Sequence, residues 1–361
     1  MTEIRAAVCR SFGEPLAVET LELRAPAEGE VEVEVAACAI CHSDLAFVDG
    51  VWGGELPAVY GHEAAGVVSA VGSGVVSAEP GQHVVVTLIR SCGSCRQCLA
   101  ARPALCRAKG ALPPVESPLR AADGEIVTQG LRTAGFAERV LVHGSQVVAV
   151  PDVIPLASAA LIGCGVFTGV GAVANTVEVR SGDLVAVVGT GGVGLNAVQG
   201  AVMAGGQVLA IDIAPEKLAA AVEFGAFATI DARSEDVDVR VAELTGGHGL
   251  DYVVVTAGSA AAVEQALRLV GDAGTVVLVG MPGGATSTID PEAIADRELR
   301  IVGSKVGTAR PHQDVPAYVT GYLDGTLKLD ELISDRFPLD QINDAISASR
   351  RATARRVVVE L

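Results

Sequence analysis

Residues 184–212 read LVAVVGTGGVGLNAVQGAVMAGGQVLAID. Five apolar residues suited to a buried strand run straight into Gly189-Thr190-Gly191-Gly192-Val193-Gly194. A helical stretch follows, and a second apolar strand ends on Asp212. In that order the glycines have a definite use: without a β-carbon the backbone turns tightly and approaches a pyrophosphate, which rests on the amino terminus of the helix. An acid about 20 residues further on binds the ribose diol, and Asp212 stands 18 residues past Gly194. A carboxylate there repels a 2′-phosphate, so NAD is expected in preference to NADP. With 42 glycines in the chain, a bare GxGxxG match carries little. The full succession of strand, loop, helix, strand and acid carries the reading.

Outward from this stretch the same texture continues. LVAVV (184–188), QVLAI (207–211), ATI (228–230), DYVVV (251–255), TVVLV (275–279) and LRIVG (299–303) are six candidate strands, with helical stretches such as 195–205 and 216–225 between them. Alternation of this kind predicts a doubly wound parallel sheet of the Rossmann type. Before it, from Val8 to about Val150, the pattern is β-rich: EVEVEV (30–35) alternates with period two, and VVVTLI (84–89) reads as a buried strand. The last 55 or so residues end in RRVVVEL, too short for a domain, and are expected to pack back on the first region. The predicted division is a domain of 1–155 with 306–361, and a nucleotide-binding domain of 156–305.

Composition narrows the function classes. At 361 residues two domains are expected. A net charge of −17 argues against a surface built to neutralise phosphate backbones, so nucleic acid is not an expected partner. MTEIRAAVCRSFGEP has no basic segment followed by an apolar core, and no run of about 18 apolar residues occurs, so neither a signal peptide nor a membrane span is expected. The expectation is a cytoplasmic protein that handles small molecules.

In a reducing compartment, eight cysteines in 361 residues do not read as a disulfide scaffold. Four of them, Cys92, Cys95, Cys98 and Cys106, fall in CGSCRQCLAARPALC with spacing C-x2-C-x2-C-x7-C. Two short gaps let sulfurs curl around one ion, and the longer loop returns the fourth to close a tetrahedron. Structural zinc is the reading, although the spacing also admits an iron–sulfur cluster. A closed site of this type holds a loop and performs no catalysis.

Three further polar positions stand in turn-like segments: Cys41 in ACAICHSDL, His62 in YGHEAAG and Cys164 in LIGCGVFTG. Taken singly, each is as well explained as a core residue. Cys38 and Cys41 form a competing C-x2-C pair. His62-Glu63 is followed by Ala64, Ala65 and Gly66, which lacks the second histidine a zinc protease needs.

The order CHSD, GHE, C-x2-C-x2-C-x7-C, IGCGVFTG and VVGTGGVG with Asp212 resembles the zinc-dependent medium-chain alcohol dehydrogenases over essentially the whole chain. The resemblance implies a GroES-like β-rich catalytic domain beside the Rossmann domain, and two zinc ions per chain. Cys41, His62 and Cys164 would hold the catalytic zinc with a fourth position open, Glu63 lying behind it and able to exchange onto the metal, and Asp44 orienting His62. The four-cysteine lobe would hold the structural zinc. An alcohol at the open position would lose its proton near neutral pH and pass hydride to the nicotinamide. Ser43 matches the hydroxyl that relays this proton, and His42 and Arg356 match positions facing the pyrophosphate. Thr168 and Val193 would support the nicotinamide, and Lys217 would lie beside the adenosine ribose.

In the best-known members a histidine five residues after the first zinc ligand receives the relayed proton, whereas this chain has Ala46. Positions matching the substrate pocket, Trp52, Leu88, Leu131 and Met281, are all apolar. They imply a hydrophobic or aromatic primary alcohol or its aldehyde. The insert from Arg107 to Gly135 is expected to border the site; with it, a formaldehyde–thiol adduct is the alternative substrate. A non-catalytic NAD-binding protein on this fold is the other alternative. LRIVG is expected to be an apolar edge strand, and the resemblance implies that a second copy covers it about a two-fold axis, giving a homodimer or homotetramer.

Overall fold

The computed structural model describes residues 1–107 and 116–361. Residues 108–115 of the insert expected to border the site lie outside the described residues. The chain divides into two compact units, Met1–Gly165 with Arg310–Gly325 and Leu329–Leu361, and Val166–Ala309 with Thr326–Lys328.

The first unit is GroES-like and β-rich. Short strands Thr2–Cys9, Ala17–Leu23, Leu119–Arg120, Ile126–Gln129 and Ala58–Val59 close into a barrel. A second sheet runs in the order Val147–Ala149, His83–Val86, Glu63–Val71, Glu30–Ala39, Arg356–Glu360, Ile333–Pro338, with Arg139–His143 also pairing to Glu30–Ala39. The carboxyl-terminal VVV therefore does return to this unit, antiparallel to residues 37–39. Valines, leucines and alanines from both sheets form one core that includes Phe136, Val33, Val84 and Val359.

Two strand readings are corrected. The run 84–89 is a strand only as far as Val86, because Thr87 leaves the ladder: its buried Oγ1 donates to the Gly163 carbonyl at 2.8 Å. The alternation of EVEVEV is also incomplete, since Glu32 is buried and paired with Arg139 Nη1 at 2.8 Å and Ser69 Oγ at 2.7 Å. Residues 156–165, grouped from sequence with the nucleotide-binding domain, sit in the first unit; Thr87 holds Gly163, and Ser158 is hydrogen-bonded to Asp330.

The second unit is the expected six-stranded parallel sheet, in the order Ala228–Asp231, Gln207–Asp212, Leu184–Val188, Leu250–Val255, Val270–Leu278, Arg300–Gly303. The central strands are buried on both faces, which explains their unbroken apolar runs. The order reverses between Leu184–Val188 and Leu250–Val255, the switch point beside which such sheets bind nucleotides. Among the described residues no single helix is long and apolar enough to cross a membrane.

Candidate active site and metal centres

A helix that the β-rich reading of residues 8–150 did not anticipate, His42–Val48, begins immediately after Cys41. On its first turn Asp44, 1% exposed, collects three donors: the Cys41 backbone N–H at 2.9 Å on Oδ2, and the Gly61 N–H at 3.0 Å and His62 Nδ1 at 2.9 Å on Oδ1. One carboxylate thus ties together two segments that are distant in sequence. With Nδ1 donating to Asp44, His62 presents the lone pair of Nε2, a buried atom with no hydrogen-bond partner. Cys164 arrives on the segment after Gly163. A Cβ on Gly163 would lie 2.7 Å from the Val86 carbonyl oxygen and 3.3 Å from Glu63 Cα, so only glycine lets this segment lie so close.

Cys41, His62, Glu63 and Cys164 are all buried, and one ligand atom from each lies within 4.8 Å of the others. Their electrostatics call for a cation. The hydrogen bond to Cys164 holds the Cys41 thiol well below its usual pKa, and the same bond together with burial holds Cys164 well above its own. Burial works against a charged His62, yet facing Asp44 and Cys41 outweigh it and raise its pKa. Burial pushes Glu63 up to about 8, against the pull of Arg356. Thiolate, imidazole and carboxylate donors around unpartnered buried atoms fit a divalent metal of the zinc type. Cys38 does not join them: its sulfur packs against Gly61 and Gly135, and burial holds it protonated.

The other cluster is Cys92, Cys95, Cys98 and Cys106. Sulfur separations are 4.0 Å for 92–98, 3.6 Å for 95–98, 3.8 Å for 95–106 and 3.7 Å for 92–106. A tetrahedron with Zn–S of roughly 2.3 Å has edges of about 3.8 Å, so the lobe fits one zinc ion.

The remaining site residues are placed as follows. Ser43 is half-buried and His42 exposed on the helix that Cys41 begins. Ala46 is buried there, and its carbonyl accepts from Trp52 N–H at 3.2 Å. Arg356, for which a pyrophosphate contact was implied, is buried with Nε 3.3 Å from Glu63 Oε2; this contact was invisible in the sequence because 292 residues of chain lie between the pair. Leu88 is half-buried and Trp52 36% exposed. Leu131 lies in a segment of unusual backbone, with φ of 53° at Leu131, 61° at Arg132 and 60° at Ala134. Such left-handed conformations cost energy outside glycine and persist only where surroundings impose them. Here Gly135 N–H donates to Gly61 and Phe136 N–H to Tyr60, at 2.8 and 2.9 Å, and Gln146 Nε2 donates to the Arg132 carbonyl at 3.0 Å. The segment is clamped against the chain that carries His62.

In the second unit Gly189 has φ of +90°, and a Cβ on Gly194 would sit 1.9 Å from the Gly189 carbonyl oxygen, so both glycines are required by the turn. Gly191 precedes the helix Gly192–Met203 and has open space beside it. Asp212 is buried and does more than wait for a ribose. Its Oδ2 accepts from Thr190 N–H at 2.7 Å and Thr190 Oγ1 at 3.2 Å, and its Oδ1 from the N–H groups of Ile213 and Ala214 at 2.8 and 3.0 Å. The acid therefore also braces the glycine loop. Gly169, next to Thr168, packs so closely that a Cβ would lie 2.4 Å from the Val193 carbonyl oxygen, which brings those two positions together. Lys217 is half-buried on the helix Pro215–Glu223, and Met281 is 68% exposed.

A β-rich unit with a buried cysteine–histidine cluster and a four-cysteine lobe, in one chain with a Rossmann unit, is the architecture of a zinc-binding oxidoreductase. Residues 27–152 match the alcohol dehydrogenase GroES-like domain and residues 192–321 the zinc-binding dehydrogenase family. The chain is 37% identical over 351 residues to the NDMA-dependent alcohol dehydrogenase of Amycolatopsis methanolica, covering 94% of each. Among solved structures it resembles an alcohol dehydrogenase zinc-binding domain protein from Burkholderia ambifaria (36% identity, TM-score 0.95, 100% and 99% covered). It also resembles the benzyl alcohol dehydrogenase of Acinetobacter calcoaceticus (29% identity, TM-score 0.93, 100% of both). The chain belongs to the zinc-dependent medium-chain alcohol dehydrogenase family.

Proposed function

We propose that this chain catalyses the reversible NAD-linked oxidation of a primary alcohol, hydrophobic or aromatic, to its aldehyde. The observation that carries the reading is the buried set Cys41, His62 and Cys164, with His62 Nδ1 fixed by Asp44 and Nε2 without a protein partner. When bound, zinc supplies a Lewis acid that acidifies the alcohol hydroxyl, and NAD supplies the acceptor for the hydride leaving its carbon.

The protein's own groups do the remaining work. Cys41, His62 and Cys164 would hold the catalytic metal, while Cys92, Cys95, Cys98 and Cys106 would hold a second ion that shapes the lobe. Glu63, kept in reserve by its contact with Arg356, is the residue able to exchange onto the metal. Ser43 relays the hydroxyl proton, accepting it as it gives up its own, and the released proton leaves through water or through exposed His42, since the buried Ala46 methyl cannot take it. Gly189, Gly191, Gly192 and Gly194 cradle the pyrophosphate; Asp212 and Lys217 flank the adenosine ribose, and Thr168 and Val193 the nicotinamide. Trp52, Leu88 and Leu131 of the first unit and, separately, Met281 of the second are the positions that the family resemblance assigns to substrate, and none carries a charge to favour an ionic one. The likeness to a benzyl alcohol dehydrogenase supports a ring-bearing substrate.

A rate screen of the purified zinc-loaded protein with ethanol, benzyl alcohol and a polyol tests this. Each alcohol is offered NAD, NADP and the acceptor for which the Amycolatopsis relative is named. Benzyl alcohol with NAD is expected to give the highest kcat/KM. Turnover only with the other acceptors, or only with polyols, would overturn the cofactor or the substrate assignment respectively.

A further inference from the structure

The only tryptophan of the chain, Trp52, stands in DGVWGGE, a loop with glycine at 50, 53 and 54. A glycine-rich loop leaves its side chain little local restraint, yet the indole is held. It meets Phe47 edge to face, with centroids 5.3 Å apart at 89°, and Phe47 in turn stacks on Tyr60 at 5.5 Å and 17°. Tyr60 is 3% exposed and cannot yield: a Cβ on Gly130 would lie 2.4 Å from its Cδ1, so the ring fills the space left by that glycine. All three rings belong to segments that carry candidate metal ligands. Phe47 lies on the helix that Cys41 begins, Trp52 N–H is bonded to Ala46 of the same helix, and Tyr60 is two residues before His62.

We propose that Phe47 and Tyr60 are specificity-positioning residues: their stack holds the part-exposed indole of Trp52 as a fixed face that selects alcohols bearing an aromatic ring. The inference rests on the alcohol-oxidation reading and names the substrate class of that site. Neither Phe47 nor Tyr60 need touch the substrate. Aromatic pairs favour offset or edge-to-face geometry and gain from it beyond the burial of area, so a fixed indole discriminates a benzylic ring from an alkyl chain. An indole free to rotate would offer both only apolar surface.

Because Trp52 is the sole tryptophan, intrinsic emission reports its setting without any turnover. In the wild type, benzyl alcohol should change the Trp52 emission saturably while ethanol at equal concentration leaves it unchanged. Phe47→Leu should shift the emission of the free protein to the red and lower its anisotropy. In steady-state kinetics it should raise KM for benzyl alcohol about 2- to 10-fold, with KM for ethanol within about twofold and kcat for both retained. Tyr60→Phe keeps the stack and should behave as wild type in each assay. A benzyl-to-ethanol KM ratio unmoved by Phe47→Leu, or a wild-type emission indifferent to benzyl alcohol, would overturn the inference. A protein that oxidises no alcohol at all would instead refute the proposed function, and the wild-type titration would still decide whether Trp52 receives a ring.

Discussion

Asp44 is a buried carboxylate whose three hydrogen bonds all serve to place something else. Asp44→Asn keeps the shape but must turn an amide N–H toward one of those donors, so His62 loses its fixed tautomer and Cys41 part of its anchor. Zinc affinity at the Cys41 site should fall about 10- to 100-fold, read as metal content against a competing chelator, while the four-cysteine lobe keeps its ion. Asp212 carries a double burden of the same type. Asp212→Ala should raise the NADP-to-NAD ratio of kcat/KM about tenfold, by removing repulsion at the 2′ position. It should also cost about 1–3 kcal/mol of stability by thermal melting, since four donors lose their acceptor. An altered ratio with an unchanged melt would mean that the bracing bonds contribute little. The acid was legible in the sequence from its spacing after the glycines; the bracing was not, because a motif names a residue and leaves its second hydrogen-bond partner unstated.

Among elements, the lobe from Cys92 to Cys106 has almost no core of its own. Its helix Arg96–Leu99 buries nothing, Leu99 is 77% exposed, and Ala104 is the buried residue of the following turn. We propose that a bound metal supplies the folding energy that packing does not. Cys98→Ser, or chelation, should make this segment the first to be cut in limited proteolysis and should lower the melting temperature. Cys164→Ser should abolish turnover with one zinc retained and the melt little changed. The same metal count with both variants equally inactive and equally stable would overturn this division of labour. The helix His42–Val48 ends on Asp49, which Arg350 grips through both guanidinium nitrogens at 2.8 and 2.7 Å. These hydrogen bonds hold the Asp49 carboxyl below its usual range. A depressed carboxylate stabilises above its ordinary pKa and ceases to do so as pH falls through the depressed value. Arg350→Ala should thus cost about 0.3–1 kcal/mol at pH 7, discounted because both groups are partly exposed, and its melting curve should converge on the wild type only as pH falls below the ordinary carboxylate range. The lobe could be read from cysteine spacing alone. The helix could not, since seven residues are too few to display a period against β-rich surroundings.

For the whole molecule, the strand Arg300–Gly303 is the outermost of the parallel sheet, and three of its four residues are exposed. An open edge of this kind invites a second copy about a two-fold axis. Light scattering at micromolar concentration should report a dimer or a multiple of it, and Ile301→Lys, at a 36% exposed position, should shift the species toward monomer. A wild-type monomer would remove this expectation. The sheet itself was written into the chain: six apolar runs at regular spacing, glycines after the first and an acid after the second need only local periodicity and backbone sterics to be read. The four-cysteine site was equally local. By itself, then, the sequence determined the Rossmann unit, the position of its glycine turn, the clustering of the four-cysteine lobe and, through ordered motifs, the family. The ordered motifs, through the family resemblance, also implied that Cys41, His62 and Cys164 converge, as they do; tertiary structure alone decided that Cys38 turns away, that Arg356 faces Glu63, that Thr87 breaks its strand to hold Gly163, and that Phe47 and Tyr60 pack with Trp52. The physical reason is sequence separation. Short-range signals record steric and hydrogen-bonding preferences within a turn or a strand, whereas a buried site is made by side chains that meet only after the β-sheets have closed, and no local pattern encodes which thiol or carboxylate will face which.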